Sequence, residues 1–156
     1  MSVNRGKQFE DIIREQFKKL KNVVTIRLYD VTTGYINQNN ICDLIVYKKP
    51  NMIFLECKTT NSSTLNFKSQ IRENQLNGLL DKSKIDGIIA GILCWFIQYD
   101  KTIFLPIQYI DELMKKNKKS FNINNYHEDK VIEIEGDKKR IFFNYNLEKF
   151  LNNIII

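Results

Sequence analysis

Residues 43 to 58, DLIVYKKPNMIFLECK, constrain the fold more than any other stretch of the chain. Two apolar, β-forming runs, Leu44 to Tyr47 and Met52 to Leu55, flank Lys-Lys-Pro-Asn, whose proline and asparagine favour a tight turn. The segment reads as a β-hairpin with both strands largely buried. Its acids and one lysine fall at a single end: Asp43 opens the first strand, and Glu56 and Lys58 close the second. Side chains alternate along a strand, so Glu56 and Lys58 share one face while Leu55 and Cys57 take the other. Antiparallel pairing around Lys49 to Asn51 opposes residues whose numbers sum to about 100, which brings Asp43 near Cys57, beside Glu56 and Lys58.

The flanking sequence supplies the layers such a hairpin needs. Asn4 is placed to cap a helix of about four turns, with Phe9, Ile12, Ile13, Phe17 and Leu20 at helical spacing and lysines in its last turn. VVTIRLY (Val23 to Tyr29) alternates like a strand, and Asp30 to Asn40 is polar, contains glycine and reads as a loop. After the hairpin comes a polar connection, then a helix capped by Ser69 and ending near Lys84, then IIAGILCWFI (Ile88 to Ile97), a nearly continuous apolar run expected to be a central strand. TIFLPI is expected to form an edge strand, YIDELMKK a short helix, VIEIE and RIFFNY a hairpin around Gly136-Asp137, and NLEKFL a closing helical turn. The order α-β-β-β-α-β predicts an α/β fold, a mixed sheet flanked by helices, with C-terminal hairpin additions.

At 156 residues the chain suits one domain, residues 1–156, with a core that needs neither disulfides nor a structural metal. Cys42, Cys57 and Cys94 fall in expected strands, form no CxxC pair and share the chain with one histidine, His127. This argues against a zinc site and for small buried thiols of a reducing cytoplasm. No signal sequence and no apolar run of membrane-spanning length is visible, so a soluble intracellular protein with no membrane partner is expected. The net charge of +6 suits a polyanion. Lys, Asn and Ile supply 60 of the 156 residues, however, a bias of A/T-rich coding that by itself accounts for some of the lysines.

Two carboxylates held close raise each other's pKa unless a cation sits between them. A few oxygen ligands with room for water suit Mg2+, with Mn2+ able to substitute. Such an ion supports phosphodiester hydrolysis, and a lysine beside it can orient a water or stabilise developing negative charge. Glu-x-Lys alone is weak: Glu128-Asp129-Lys130 and Asp137-Lys138-Lys139 are similar groupings in polar sequence, most simply solvated charges. Only Glu56-Cys57-Lys58 ends an apolar strand whose hairpin partner begins with an acid. Glu10 flanks the apolar stripe of the first helix and can face the sheet, or can pair with Arg14 one turn on. Gln75 has the plain reading of an exposed helix former.

Taken together, Asp43, Glu56-x-Lys58 and Glu10 in this order of elements resemble the PD-(D/E)XK nuclease core, with Cys42 at the nominal proline. More narrowly, the chain resembles the RecU-type Holliday junction resolvases of Gram-positive bacteria and their phages. Asn4-Arg5-Gly6 with Glu10, the FLECK stretch, Asn74-Gln75, the glycine-led strand from Gly87 to Phe96 and KKSFNINNYHE carry the likeness. The resemblance implies Asp43, Glu56 and the main-chain carbonyl of Cys57 as metal ligands, Lys58 as catalytic lysine, Glu10 completing the acidic cluster, and Gln75 near the water or scissile phosphate. It further implies a homodimer that nicks opposed strands of branched DNA, with Arg5 and Lys7 on an N-terminal arm and Lys68, Arg72, Lys118 and Lys119 as further DNA contacts. The family's long stalk is reduced here to Asp30 to Cys42, in which Tyr35 is either a stacking residue or an ordinary loop aromatic. Thr59 stands where the family carries a glutamate. A nuclease of this fold acting on another DNA, in restriction or repair, and a non-catalytic DNA-binding recombination mediator are the alternatives. Small size and A/T bias suit a phage or prophage gene.

Overall fold

Asn4 opens the first helix as its place before an apolar stripe predicts: its side chain accepts the Lys7 N–H at 3.0 Å, and α1 runs Arg5–Lys18. The computed structural model describes residues 3–29, 31–33, 36–38 and 40–155. After α1 come β1 (Val24–Arg27), β2 (Val31–Thr33), β3 (Ile36–Gln38), β4 (Leu44–Lys48), β5 (Asn51–Thr60) and β6 (Thr64–Asn66). Then follow α2 (Phe67–Gln70), α3 (Glu73–Ser83), β7 (Ile88–Phe96), β8 (Lys101–Pro106), α4 (Ile107–Lys115) and β9 (Ser120–Asn122). The chain ends with β10 (Ile132–Glu133), β11 (Gly136–Lys138), β12 (Phe143–Tyr145) and α5 (Leu147–Ile154).

Six strands form the main sheet in the order β1-β4-β5-β7-β8-β10. β5 and β7 are parallel, and every other pair is antiparallel, so the sheet is mixed. Parallel neighbours need a crossover, which here is the run from β6 through α3. Alternation divides the apolar residues between two cores. Ile92, Cys94 and Phe96 of β7 pack on one side with Phe54, Leu79 of α3 and Ile110 of α4; Leu93 and Trp95 pack on the other with Leu55, Cys57, Phe9, Ile13 and Phe17 of α1, and Phe150 of α5. Each large side chain so buried contributes about 1.5–3 kcal/mol. The expected fold class, a mixed sheet flanked by helices, is the one observed. Among the described residues no helix is long and apolar enough to cross a membrane.

Several local expectations are corrected. Asp30 to Asn40 is not all loop: β2 and β3 pair antiparallel there, Val31 and the two threonines after it supplying β propensity. Tyr35 lies outside the described residues. Ser69 caps nothing. Asn66 caps α2 through the Lys68 and Ser69 N–H groups, Ile71 is extended, and α3 restarts after Arg72. β8 is not an edge strand, because β10 pairs with its far side. VIEIE therefore belongs to the main sheet, and RIFFNY pairs instead with β11, placing Gly136 inside a strand. NLEKFL extends to the eight-residue helix α5, whose Leu147, Phe150, Leu151 and Ile154 are buried. Cys42 precedes β4 rather than lying in it, and all three thiols are free and buried.

Candidate active site

The register of β4 on β5 pairs Leu44 with Leu55, which leaves Asp43 just beyond the ladder at the end of the hairpin. Its main chain is held from both sides: Asp43 N–H donates to the Leu55 carbonyl at 3.1 Å, and the Leu28 N–H donates to the Asp43 carbonyl at 2.8 Å. Its side chain is aimed by a third bond, in which the Cys57 N–H donates to Asp43 Oδ2 at 2.9 Å. The expected meeting of Asp43 with Cys57 beside Glu56 and Lys58 is thus present.

Glu56 continues the row of Phe54 on β5 and faces the α3 side of the sheet, where it is 3% exposed. Its two oxygens differ. Oε1 accepts from Gln75 Nε2 at 2.7 Å and lies 2.9 Å from Lys58 Nζ. Oε2 is buried with no partner. Gln75 is no exposed helix former: it is 1% exposed, and its Oε1 accepts the Arg72 N–H at 3.2 Å, so both ends of its amide are fixed.

Burial, and then the charge of Asp43, push the Glu56 carboxyl up to about 7 against the pull of Lys58 and Gln75. Burial also raises Asp43, opposed by the Cys57 N–H, Lys58 and the neighbouring Glu56 carboxyl. The two carboxyls therefore form a pair that favours a shared proton or a cation. A buried, unpartnered carboxylate oxygen beside a second carboxylate fits a hard divalent ion such as Mg2+, which keeps much of its own water. No three His, Cys, Asp or Glu side chains among the described residues gather into a metal-holding group. The thiols are unsuited to the task, since burial and the nearby acids push Cys42 up to about 12 and Cys57 well above its ordinary range.

Glu10 reaches the same place from α1. A cleft of about 180 Å³ is lined by Glu10, Arg27, Tyr29, Asn40, Asp43, Glu56 and Arg72, among others. The partner of Glu10 is not Arg14, which pairs with Asp11 and Glu15, but Arg27 of β1, whose Nε lies 2.8 Å from Glu10 Oε1. Sequence reasoning missed Arg27. Its one signal is its position as the lone cation of an alternating strand that leads toward Asp43.

The expected DNA contacts fall into three places. Arg5 and Lys7 form the first turn of α1 rather than a separate arm, with Arg5 stacked on Phe142 at 5.5 Å and bonded to Gln8. Arg72 lines the acidic cleft. Lys68, Lys118 and Lys119 converge on a groove of about 730 Å³ with Phe67 and Met114, where the Phe67 N–H donates to the Lys119 carbonyl at 3.0 Å. Two other lysines of the basic run, Lys115 and Lys116, pair with Asp111 and Glu112 on their own helix.

A mixed sheet between helices, with two acids and a lysine converging at the end of a buried hairpin, is the arrangement that the resemblance to PD-(D/E)XK nucleases predicts. The chain belongs to the RecU family: the family model for recombination protein U matches residues 16–148. That family assigns it the activity of a Holliday-junction-resolving endonuclease. The match includes Asp43, Glu56, Lys58 and Gln75, and begins after Asn4-Arg5-Gly6 and Glu10. Comparison with curated proteins found no match. Among solved structures, Hjc of Archaeoglobus fulgidus, a Holliday junction resolvase from an archaeal hyperthermophile, has a TM-score of 0.48 and 16% identity, covering 66% of this chain and 78% of that one.

Proposed function

We propose that residues 1–156 act as one metal-dependent nuclease domain that nicks four-way DNA junctions, with Mg2+ as the working ion and Mn2+ as a substitute. The observation that carries the reading is the division of Glu56: one oxygen held by Gln75 and Lys58, the other buried and unpartnered beside Asp43. Asp43, Glu56 and the main-chain carbonyl of Cys57 would hold the ion, which would supply Lewis acidity toward the phosphate and its attacking water. Lys58 stabilises negative charge developing on the phosphate. Gln75 keeps Glu56 Oε1 engaged, which would leave Oε2 for the ion, and Glu10 adds a third negative charge to the cleft.

DNA is held by its backbone. Lys118, Lys119 and Lys68 meet phosphates in their shared groove, Arg72 carries the strand toward the acids, and Arg5 and Lys7 border the site from the start of α1. Two copies cut opposed strands, since a two-fold pair supplies two such sites. The protein works in the cytoplasm, in recombination or phage DNA processing.

A labelled synthetic four-way junction and a linear duplex with the same arms test the reading. Paired symmetric nicks in the junction alone, lost on chelation, are expected. Equal cutting of both DNAs would keep the site and remove the junction selectivity; binding without cleavage in Mg2+ or Mn2+ would overturn the enzymatic reading.

A further inference from the structure

We infer that Arg27 is a positioning residue that latches Glu10 away from the cation held by Asp43 and Glu56 while DNA is absent, and releases it when phosphate enters the cleft. The inference rests on the metal reading proposed above. Arg27 and Glu10 are both mostly buried, at 16% and 15% side-chain exposure, and Nε lies 2.8 Å from Glu10 Oε1. That N–H is out of line for a hydrogen bond, so the contact is chiefly Coulombic. Nη1 of the same guanidinium lies 3.3 Å from Asp11 Oδ1, which it shares with Arg14, and the group stacks on Tyr29 at 4.6 Å.

Glu10 lines the same cleft as Asp43 and Glu56, and the charge of Asp43 is felt at its carboxyl. Even so, no three acids among the described residues gather at metal-holding distances. Arg27 accounts for both facts, because it holds the third acid near the pair but turned toward β1. A phosphodiester is a better partner for a guanidinium than a misaligned carboxylate, since it accepts two parallel hydrogen bonds. DNA in the cleft therefore competes for Arg27, and Glu10, once freed, adds a third oxygen donor. Cation affinity is low in the free protein and rises as substrate arrives.

Calorimetric titration of the DNA-free protein with Mn2+ tests this. Glu56→Gln should abolish the binding seen in wild type; if it binds as wild type does, or if neither wild type nor Arg27→Gln binds, the metal reading falls and the latch with it. With that control in place, Glu10→Gln should leave Mn2+ affinity unchanged yet slow single-turnover junction cleavage several-fold. Arg27→Gln should tighten Mn2+ about tenfold, as expected when a nearby carboxylate loses its counter-charge, and adding Glu10→Gln should remove the gain. Arg27→Lys should keep the DNA-free Mn2+ affinity of wild type but cleave more slowly, because an ammonium cannot make the paired bonds to phosphate. The latch is overturned if Glu10→Gln weakens Mn2+ binding several-fold without DNA, if it cleaves at the wild-type rate, or if a folded Arg27→Gln protein gains nothing. The Glu10 variants decide the matter even where Arg27→Gln is unfolded by the loss of its contacts.

Discussion

Glu56 is where chemistry and stability oppose each other. Its carboxyl is raised from an ordinary 4.5 to about 7, so between those values the folded chain holds a proton that the unfolded chain has lost. Without metal, the Glu56 contribution to stability is therefore full below about pH 4.5, falls as pH rises toward 7 by on the order of 3 kcal/mol, and levels off above it. Urea unfolding of the metal-free protein from pH 5 to 8 should show this fall, Glu56→Gln should flatten it, and saturating Mg2+ should restore wild-type stability at pH 8. A wild-type stability that rises across this range would contradict a buried carboxyl whose pKa is raised by folding. Asp43, Glu56 and Lys58 were legible in the sequence because hairpin register and strand alternation are local rules. Gln75 was reached only through the family resemblance, its local sequence being that of any helix-surface amide, and Arg27 was not reached at all, because it meets Glu10 only through tertiary packing of α1 on β1.

Helix α3 determines how Gln75 meets Glu56, and Gly78 determines how closely α3 lies against the segment leading to Asp43. A Cβ at Gly78 would sit 2.2 Å from Ile41 Cγ2 and 2.8 Å from Ile41 Cβ. Gly78→Ala should cost about 1–3 kcal/mol of stability and slow cleavage, with Ile41→Ala in the same background recovering much of both. An unaffected Gly78→Ala protein would show that the helix can shift without disturbing the site. The β6–β9 pairing has its own consequence, since it brings Lys68 beside Lys118 and Lys119. Changing these three lysines to Gln should weaken junction binding and reduce the slope of log K against log salt by about two to three; an unchanged slope would return them to solvated surface. The sequence reading found α1, β1, the hairpin and β7 from periodicity. It misplaced the cap of the second helix and the partner of VIEIE, because Asn66 competes with Ser69 only through backbone geometry, and short strands choose partners by what lies across the sheet.

For the molecule as a whole, the two cores on either face of the sheet bury the hairpin and leave its acidic end lining the cleft. Layer order and site followed from one hairpin and one apolar run. The C-terminal additions did not, because β10, β11, β12 and α5 are short and held mainly by tertiary contacts such as Gln16, whose amide bonds the main chain of Phe143 and Tyr145. The family match reaches these additions. The decisive measurement is Glu56→Gln on a four-way junction in Mg2+, with cleavage and binding followed separately. Loss of paired nicks with junction affinity near wild type is the expected result. Nicking at the wild-type rate would show that the Asp43–Glu56 pair is not the catalytic centre.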